Sequence, residues 1–445
     1  MAGPASEGPL TRNPISIAGA WLTTLAAFAF LGYLLAEWLG LLDNPYSGLL
    51  GFVGVPAVFA LGLALIPLGM WREARRRRRG RAAWQWPAVD LGIRRTRLAV
   101  GLLALLTIVN VTLIGVAGFG ATHYMEKTEF CGQVCHGPMK PEATAHQAYP
   151  HAKVACVSCH VGPGASGMLR AKMNGTRQLY LLATGGYSRP IPVPAHGLPD
   201  AAGTCENCHT PGHPDRDLVR TTREYADDEA NTETVNETLL YMAKNHWHAR
   251  ADISVEYVAT DAIRETIPYV KLTDASGKVT EFFAPKTTAV PAGTARRMDC
   301  LDCHTRPAHS FAPSAEIAVD RAIAAGQIPR TLPFVRREAV KALKGSYPSE
   351  ESAIDAISRS LRDFYKPHHA QSGGDEGAEI DRAVLATQNI HRRSVFPDMK
   401  VTFGTYANNI GHIDAPGCFR CHDDEHVAKD GKKIGQDCAT CHAIE

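Results

Sequence analysis

At 445 residues with a formal net charge of +2, the chain is too long for one small domain and too evenly balanced for a nucleic-acid binder. Hydrophobic residues make up 45% of the chain and crowd its front, so the first third is read as a membrane segment and the rest as an external one. The 12 cysteines are too many and too regularly placed for incidental core residues.

In chain order, the apolar runs at 17–42, 48–71 and 98–120 each reach the roughly 20 residues a helix needs to cross a bilayer core of about 30 Å. Three transmembrane helices are predicted, in a membrane domain over 1–122. The loop at 72–97 holds Arg72, Arg75 to Arg79, Arg81, Arg94, Arg95 and Arg97 against Glu73 and Asp90, net +8. Arginine-rich short loops stay in the cytoplasm and favour anionic lipid. The N-terminus is then cytoplasmic, and the chain beyond His123 lies outside. The first run exceeds the apolar core of a secretory signal and lacks a small-residue cleavage site, so it is expected to be retained. The remaining residues carry −6, a mild acidity that bears on association and not on chemistry.

Beyond the third span every cysteine belongs to a pair followed at once by histidine. Five pairs read CxxCH: Cys156 and Cys159 before His160, Cys205 and Cys208 before His209, Cys300 and Cys303 before His304, Cys418 and Cys421 before His422, Cys438 and Cys441 before His442. The sixth, Cys131 and Cys135 before His136, is one residue longer. Two thiols at this spacing bind the haem vinyl groups as thioethers, and the adjacent imidazole sits under the iron. Zinc would not demand histidine after every pair, and a disulfide framework would not space its cysteines so uniformly. Six haem c groups are predicted.

Residues 123–188 form a two-haem head placed by the chain at the membrane surface, and 189–445 a four-haem periplasmic domain. The proline-rich stretch 188–199 joins them as a stiff connector. The β-branched and aromatic runs 253–258, 266–272 and 279–283, with a turn at 274–277, predict a small antiparallel insertion at about 252–284. Helical periodicity marks 314–325, 333–343 and 349–365, the last opening on a Ser349 capping pattern. The fold class is thus a membrane-anchored multihaem cytochrome c, with three transmembrane helices and a mostly α, haem-organised external domain carrying a β insertion.

Low-spin electron-transfer haems take a second strong axial ligand. Of the histidines outside the motifs, His151, His248, His309, His412 and His426 are expected to serve the five CxxCH haems. His146, His213 and His246 stand in reserve; His123, His196, His368, His369 and His391 are expected to take no part. Met139, three residues after His136, is either a thioether ligand of the first iron or a packing residue.

Residues 130–178, with Cys131 to Met139, Tyr149-Pro-His151, the second motif and Lys172, resemble the NapC/NirT family of membrane-anchored multihaem quinol dehydrogenases. The three spans and the long tail, with Met298 to His309 and Asn409 to His422, look more like the longer ImcH-type inner-membrane cytochromes. The resemblance implies that Met139 binds the first iron, with His136 beside it, and that a lysine and an acid flank the quinol. Lys172 matches the lysine; Gln178 stands where the carboxylate is expected, with Arg177 as a substitute. It implies oxidation of menaquinol or ubiquinol from the bilayer, with electrons passed one at a time to periplasmic cytochromes or other redox partners. The alternative is a haem-wire relay subunit of a larger membrane respiratory complex, its quinone chemistry left to a partner. A terminal reductase of small oxyanions is less favoured, because only the first haem is left open.

Overall fold

The computed structural model describes residues 9–38, 54–80, 91–162, 164–193, 198–209, 216–369 and 376–444. The tip of the arginine loop, the middle of the proline connector with His196, and His213 lie outside the described residues. The chain divides into two compact units, Met1–Met125 and Glu126–Glu445.

The first unit holds three helices long and apolar enough to cross a membrane: α1 (Pro14–Trp38), α2 (Val55–Arg78) and α3 (Arg94–Met125). α2 runs beyond its apolar stretch through Arg72 and Arg75–Arg78, so much of the arginine cluster is helical, and the first residues of the 48–71 run lie outside the described residues. Arginine is a good helix former, and its long stem lets the guanidinium snorkel from a span's end. α1 and α2 touch backbone to backbone. A Cβ on Gly19 would lie 2.7 Å from the Gly62 carbonyl oxygen, and one on Gly69 would lie 2.5 Å from Ser16 Oγ. Ser16 Oγ donates to the Ile66 carbonyl at 2.8 Å. Small residues and a cross-helix hydroxyl bond replace the hydrophobic drive that lipid cannot supply. α3 buries none of its residues in this chain.

The second unit is built of short helices, two sheets and a helical layer. After α4 (His136–Gln147) and α5 (Gly164–Thr184) come strands β1 (Leu218–Tyr225), β2 (Glu233–Leu240), β3 (Ser254–Val258), β4 (Tyr269–Thr273), β5 (Val279–Phe283) and β6 (Arg296–Arg297). α6 (Ala315–Ala324), α7 (Val335–Leu343), α8 (Glu350–His369) and α9 (Glu376–Ser394) follow, then β7 (Val427–Ala428) and β8 (His442–Ile444). β3, β4 and β5 coincide closely with the three predicted runs and pair antiparallel, with Tyr257 opposite Val270 and Lys271 opposite Glu281. β6 and β7 extend this sheet to five strands in the order β6-β3-β4-β5-β7. The second sheet, β1-β2-β8, has the terminal strand pairing His442 with Leu240.

The helical layer has its own dry core. Ala353, Ile357, Leu361 and Tyr365 recur every fourth residue along α8, each 0% exposed, the spacing that sets one face of a helix against its neighbours. Val319, Val335, Ala339 and Ala383 share one core cluster with Ile357, Leu361 and Tyr365. Ser314 caps α6, its Oγ accepting from Ile317 N at 3.2 Å. Asn231, fully buried at the tip of the β1–β2 hairpin, donates to the Leu332 and Arg330 carbonyls and accepts from Arg336 N, tying the hairpin to the layer.

Candidate haem-attachment sites

No disulfide joins any of the twelve cysteines, so all are available for thioether attachment. The CxxC pairs sit on single turns: 156–160 and 300–303 and 438–441 are short helices, and 417–420 is a 3-10 turn. Residues three apart on a turn share a side, so both sulfurs point one way and the next imidazole follows them. Aspartates cap these turns: Asp299 Oδ1 accepts from Leu301 N at 2.8 Å, and Asp437 Oδ1 from Ala439 N at 3.1 Å. The longer first motif has a different device. Phe130–Val134 is a π-helical turn, whose wider i→i+5 winding absorbs one extra residue and still brings positions four apart to one side.

Each CxxCH histidine faces one histidine from elsewhere in the chain. The ring centroids lie 6.0 Å apart for His151 and His209, 6.2 Å for His160 and His309, 6.2 Å for His246 and His304, 5.9 Å for His248 and His422, and 6.1 Å for His412 and His442. Two imidazole nitrogens each about 2.0 Å from one metal put their ring centroids about 6 Å apart. Among the described residues no group of three or more His, Cys, Asp or Glu is gathered to hold a bare metal ion. A pair of axial imidazoles with the in-plane donors supplied by a porphyrin therefore fits, and a zinc site, which needs four protein ligands, does not.

The rings are also set in the right tautomer. His151 Nδ1 lies 2.8 Å from the Pro307 carbonyl, His246 Nδ1 3.0 Å from that of Met242, and His422 Nδ1 2.9 Å from that of Gly435. His309 Nδ1 lies 3.0 Å from Glu142 Oε2. A carbonyl can only accept, so Nδ1 carries the proton and the lone pair is left on Nε2, where a metal needs it. Burial holds His160, His248 and His304 below the ordinary histidine pKa, which favours the neutral ring that ligation requires.

The sulfurs place the motifs beside one another in sequence order. The Cys131 and Cys156 sulfurs lie close enough to shift one another's titration, Cys131 upward and Cys156 downward. Burial raises the Cys159 thiol pKa, and nearby Cys205 pushes it the same way. Burial and then Cys205 act on Cys300, burial and then Cys418 on Cys303, and burial and then Cys418 on Cys441. The first motif thus adjoins the second, the second the third, and so on to the sixth.

Over 97% of its length the chain is 36% identical to the cytochrome c-type protein ImcH of Geobacter sulfurreducens, covering 88% of that protein. The chain belongs to the ImcH family of cytochrome c-type proteins. It is therefore a membrane-anchored electron-transport protein that carries covalently bound haem c. No protein-family model matches it, and no solved structure matches it.

In this ImcH-type chain the fourth and fifth motifs are clamped together by the residues inside them. Asp302, between Cys300 and Cys303, is 3% exposed. Its Oδ1 accepts from Tyr257 Oη at 2.7 Å, Arg264 at 2.9 Å and Arg296 Nε at 3.0 Å. Arg420, between Cys418 and Cys421, donates Nη2 to the Asp302 carbonyl and Nη1 to that of Arg264 at 2.9 Å. Gly417 has φ +52, and a Cβ there would lie 1.5 Å from the Gly411 carbonyl oxygen, so only glycine can lead into Cys418 at this approach.

The expected ligands are not all placed alike. His151, His248, His309 and His412 each face a motif histidine. His426 does not: Asp423 holds its Nδ1 at 2.9 Å and the Ile267 carbonyl lies 2.7 Å from its Nε2, so both nitrogens serve the fold. His246, from the reserve set, takes the position opposite His304. His146 is buried with Nε2 3.1 Å from the Val154 carbonyl, and His391 lies inside the helical layer. Met139 is half-buried in α4, one turn after His136, and its N–H donates to the Cys135 carbonyl at 3.0 Å. Lys172, Arg177 and Gln178 all lie exposed on α5, but 100° per residue spreads them around its circumference and not on one face. Arg306, which sequence reasoning missed, bonds Glu142 and donates Nε to the His309 carbonyl at 3.0 Å. Its place in Thr-Arg-Pro just after His304 was its only signal.

Proposed function

We propose that the chain is a hexahaem cytochrome of the bacterial inner membrane that oxidises membrane quinol and delivers electrons singly to periplasmic acceptors. The observation that carries this reading is the adjacency of the six attachment motifs in sequence order. The file starts at Cys131, six residues beyond the end of α3, and finishes near the C-terminus. When bound, haem c supplies one-electron exchange at iron. The protein's own work is to fix each sulfur pair, to hold Nε2 of each facing ring toward the other, and to set the order. In this reading His151 pairs with His209, His309 with His160, His246 with His304, His248 with His422, and His412 with His442. Met139 and His136 remain the candidates for the first site.

The positive arginine cluster of α2 favours a cytoplasmic face for that end, so the external unit is periplasmic. α5 supports contact with lipid. Met168, Leu169, Met173, Leu179 and Tyr180 are exposed on one side of it, Lys172 stands within that stripe, and the helix has no acidic residue. An amphipathic, cationic helix of this kind suits the headgroup boundary. Lys172 is the side chain we assign to the quinol hydroxyl; Arg177 and Gln178 point to other sides and are assigned to headgroups. Quinol oxidation frees two protons per two electrons, and they leave on the periplasmic side.

The test is reduction of the purified, bilayer-reconstituted protein by menaquinol and ubiquinol analogues. At least one should reduce the Soret and α bands to the extent that dithionite does. Full reduction by dithionite with none by either quinol overturns the reading. α3, with no residue buried, favours the second reading, a relay subunit docked through that helix on a membrane partner; co-purification of a stoichiometric partner in mild detergent supports it.

A further inference from the structure

Three of the five ring pairs contain a ring whose Nδ1 bonds to a main-chain carbonyl, and a fourth contains one whose Nδ1 lies beside a carboxylate. His151 uses Pro307, His246 uses Met242, and in the fourth motif's neighbour His422 uses Gly435 while His248 uses Asn245. The fourth, His309, faces a carboxylate, Glu142 Oε2, at 3.0 Å. Glu142 is 9% exposed and comes from α4, the helix that carries His136 and Met139. Arg306, 8% exposed, bonds the same carboxylate and donates to the His309 carbonyl, so it fixes both partners. The guanidinium is itself wedged over the Tyr406 ring at 4.0 Å and the Phe311 ring at 5.0 Å.

A negative carboxylate close to Nδ1 raises the basicity of an imidazole more than a neutral carbonyl does. A stronger axial donor stabilises the ferric over the ferrous state. We infer that Glu142 is a positioning residue that lowers the reduction potential of the second haem through His309, and so makes the segment of the first motif set the electron affinity of the second.

The inference rests on the assignment of His309 as ligand to the second haem, and two variants separate the layers. In the full-length holoprotein, His309→Met should convert one low-spin signal in the electron paramagnetic resonance spectrum and shift one haem's share of the redox titration. Glu142→Gln, which keeps an acceptor and removes the charge, should leave all haems attached by mass and low-spin, and move that same share to higher potential. Glu142→Asp should restore part of the shift. An unchanged titration and spectrum in Glu142→Gln, with His309→Met altered, overturns the role of Glu142 alone. No effect of His309→Met overturns the ligand assignment beneath it.

Discussion

The helical layer from Ala315 to Ser394 and the motif-bearing segments around it are held together by different means. The layer buries aliphatic and aromatic side chains to 0% exposure. The motif segments leave Cys159, Cys208, Cys418 and Cys438 exposed and rely on caps, buried ion pairs and facing imidazoles. The layer is an ordinary hydrophobic core that pays its chain entropy with apolar burial. Around the fourth and fifth motifs only a smaller core forms, Met298 and Cys421 against Val255, Tyr257 and Phe282, so ligand bonds and covalent attachment are expected to supply much of the rest. One half of the unit should therefore fold by itself, and the other should fold only with its haems.

The largest break in that contrast is Cys300→Ala with Cys303→Ala. Intact mass should fall by one haem, and limited proteolysis should cut the segments of the fourth and fifth motifs while a fragment near 315–394 persists. Equal protection of both would remove the distinction. Leu361→Ala should do the converse: a loss of about 2–5 kcal/mol from the layer, as for other fully buried leucines, seen as a lower far-ultraviolet melting transition with the Soret band unchanged. Arg420→Met leaves the Arg264 and Asp302 carbonyls without their donor and should cost about 1–3 kcal/mol per unsatisfied group. It should loosen the fourth and fifth sites together, read as simultaneous broadening of two haem potentials.

Acid should sharpen the comparison further. Burial opposes the charge of Glu142, but His309 and Arg306 overcome it, and the carboxyl sits below the usual range. Burial likewise opposes Asp423, which His426 and the Glu425 and His426 amides bring below that range. Groups with depressed folded pKa values stabilise above the unfolded carboxylate value near 4 and lose that contribution as pH falls through the folded one. Asp320 in the layer is shifted up by burial despite Arg336, so its protonation relieves the layer. Acid titration should disturb the Soret band before the far-ultraviolet signal. The smallest effect concerns ring planes. The pairs His160–His309 and His246–His304 are near parallel, at 22° and 15°, whereas His248–His422 and His151–His209 stand at 84° and 65°. Near-parallel imidazoles split the iron π orbitals and steep ones leave them close in energy, so the spectrum should contain both rhombic and strongly anisotropic low-spin signals.

The spans, the attachment motifs, strands β3 to β5 and helices α6 to α8 were legible because each rests on local pattern: hydropathy, spacing or period. α9 was not, since its apolar positions are interrupted by Arg382, Gln388 and Asn389. Nor was the β1–β2 hairpin, where polar Arg220 and Thr222 take half-buried positions and apolar Leu218, Val219 and Val235 are exposed, so hydropathy does not follow burial. The partner of each motif histidine is a tertiary fact. His246 and His426 look equally available in sequence, and only the carbonyl of Ile267 and the carboxylate of Asp423 reveal that the second is engaged. The π-helical turn under the first motif was visible as an extra residue but not as a conformation.

The interlaced pairing of rings bears on how the molecule is made. His160 meets a ring 149 positions later, at His309, and His248 waits for His422. As the chain is synthesised the second ring pair stays incomplete until residue 309 has been made, whereas the third and fourth motifs find His151 and His246 already upstream. Completion of the second pair is thus gated by the arrival of later chain, and truncation anywhere before residue 309 would leave His160 without its facing ring.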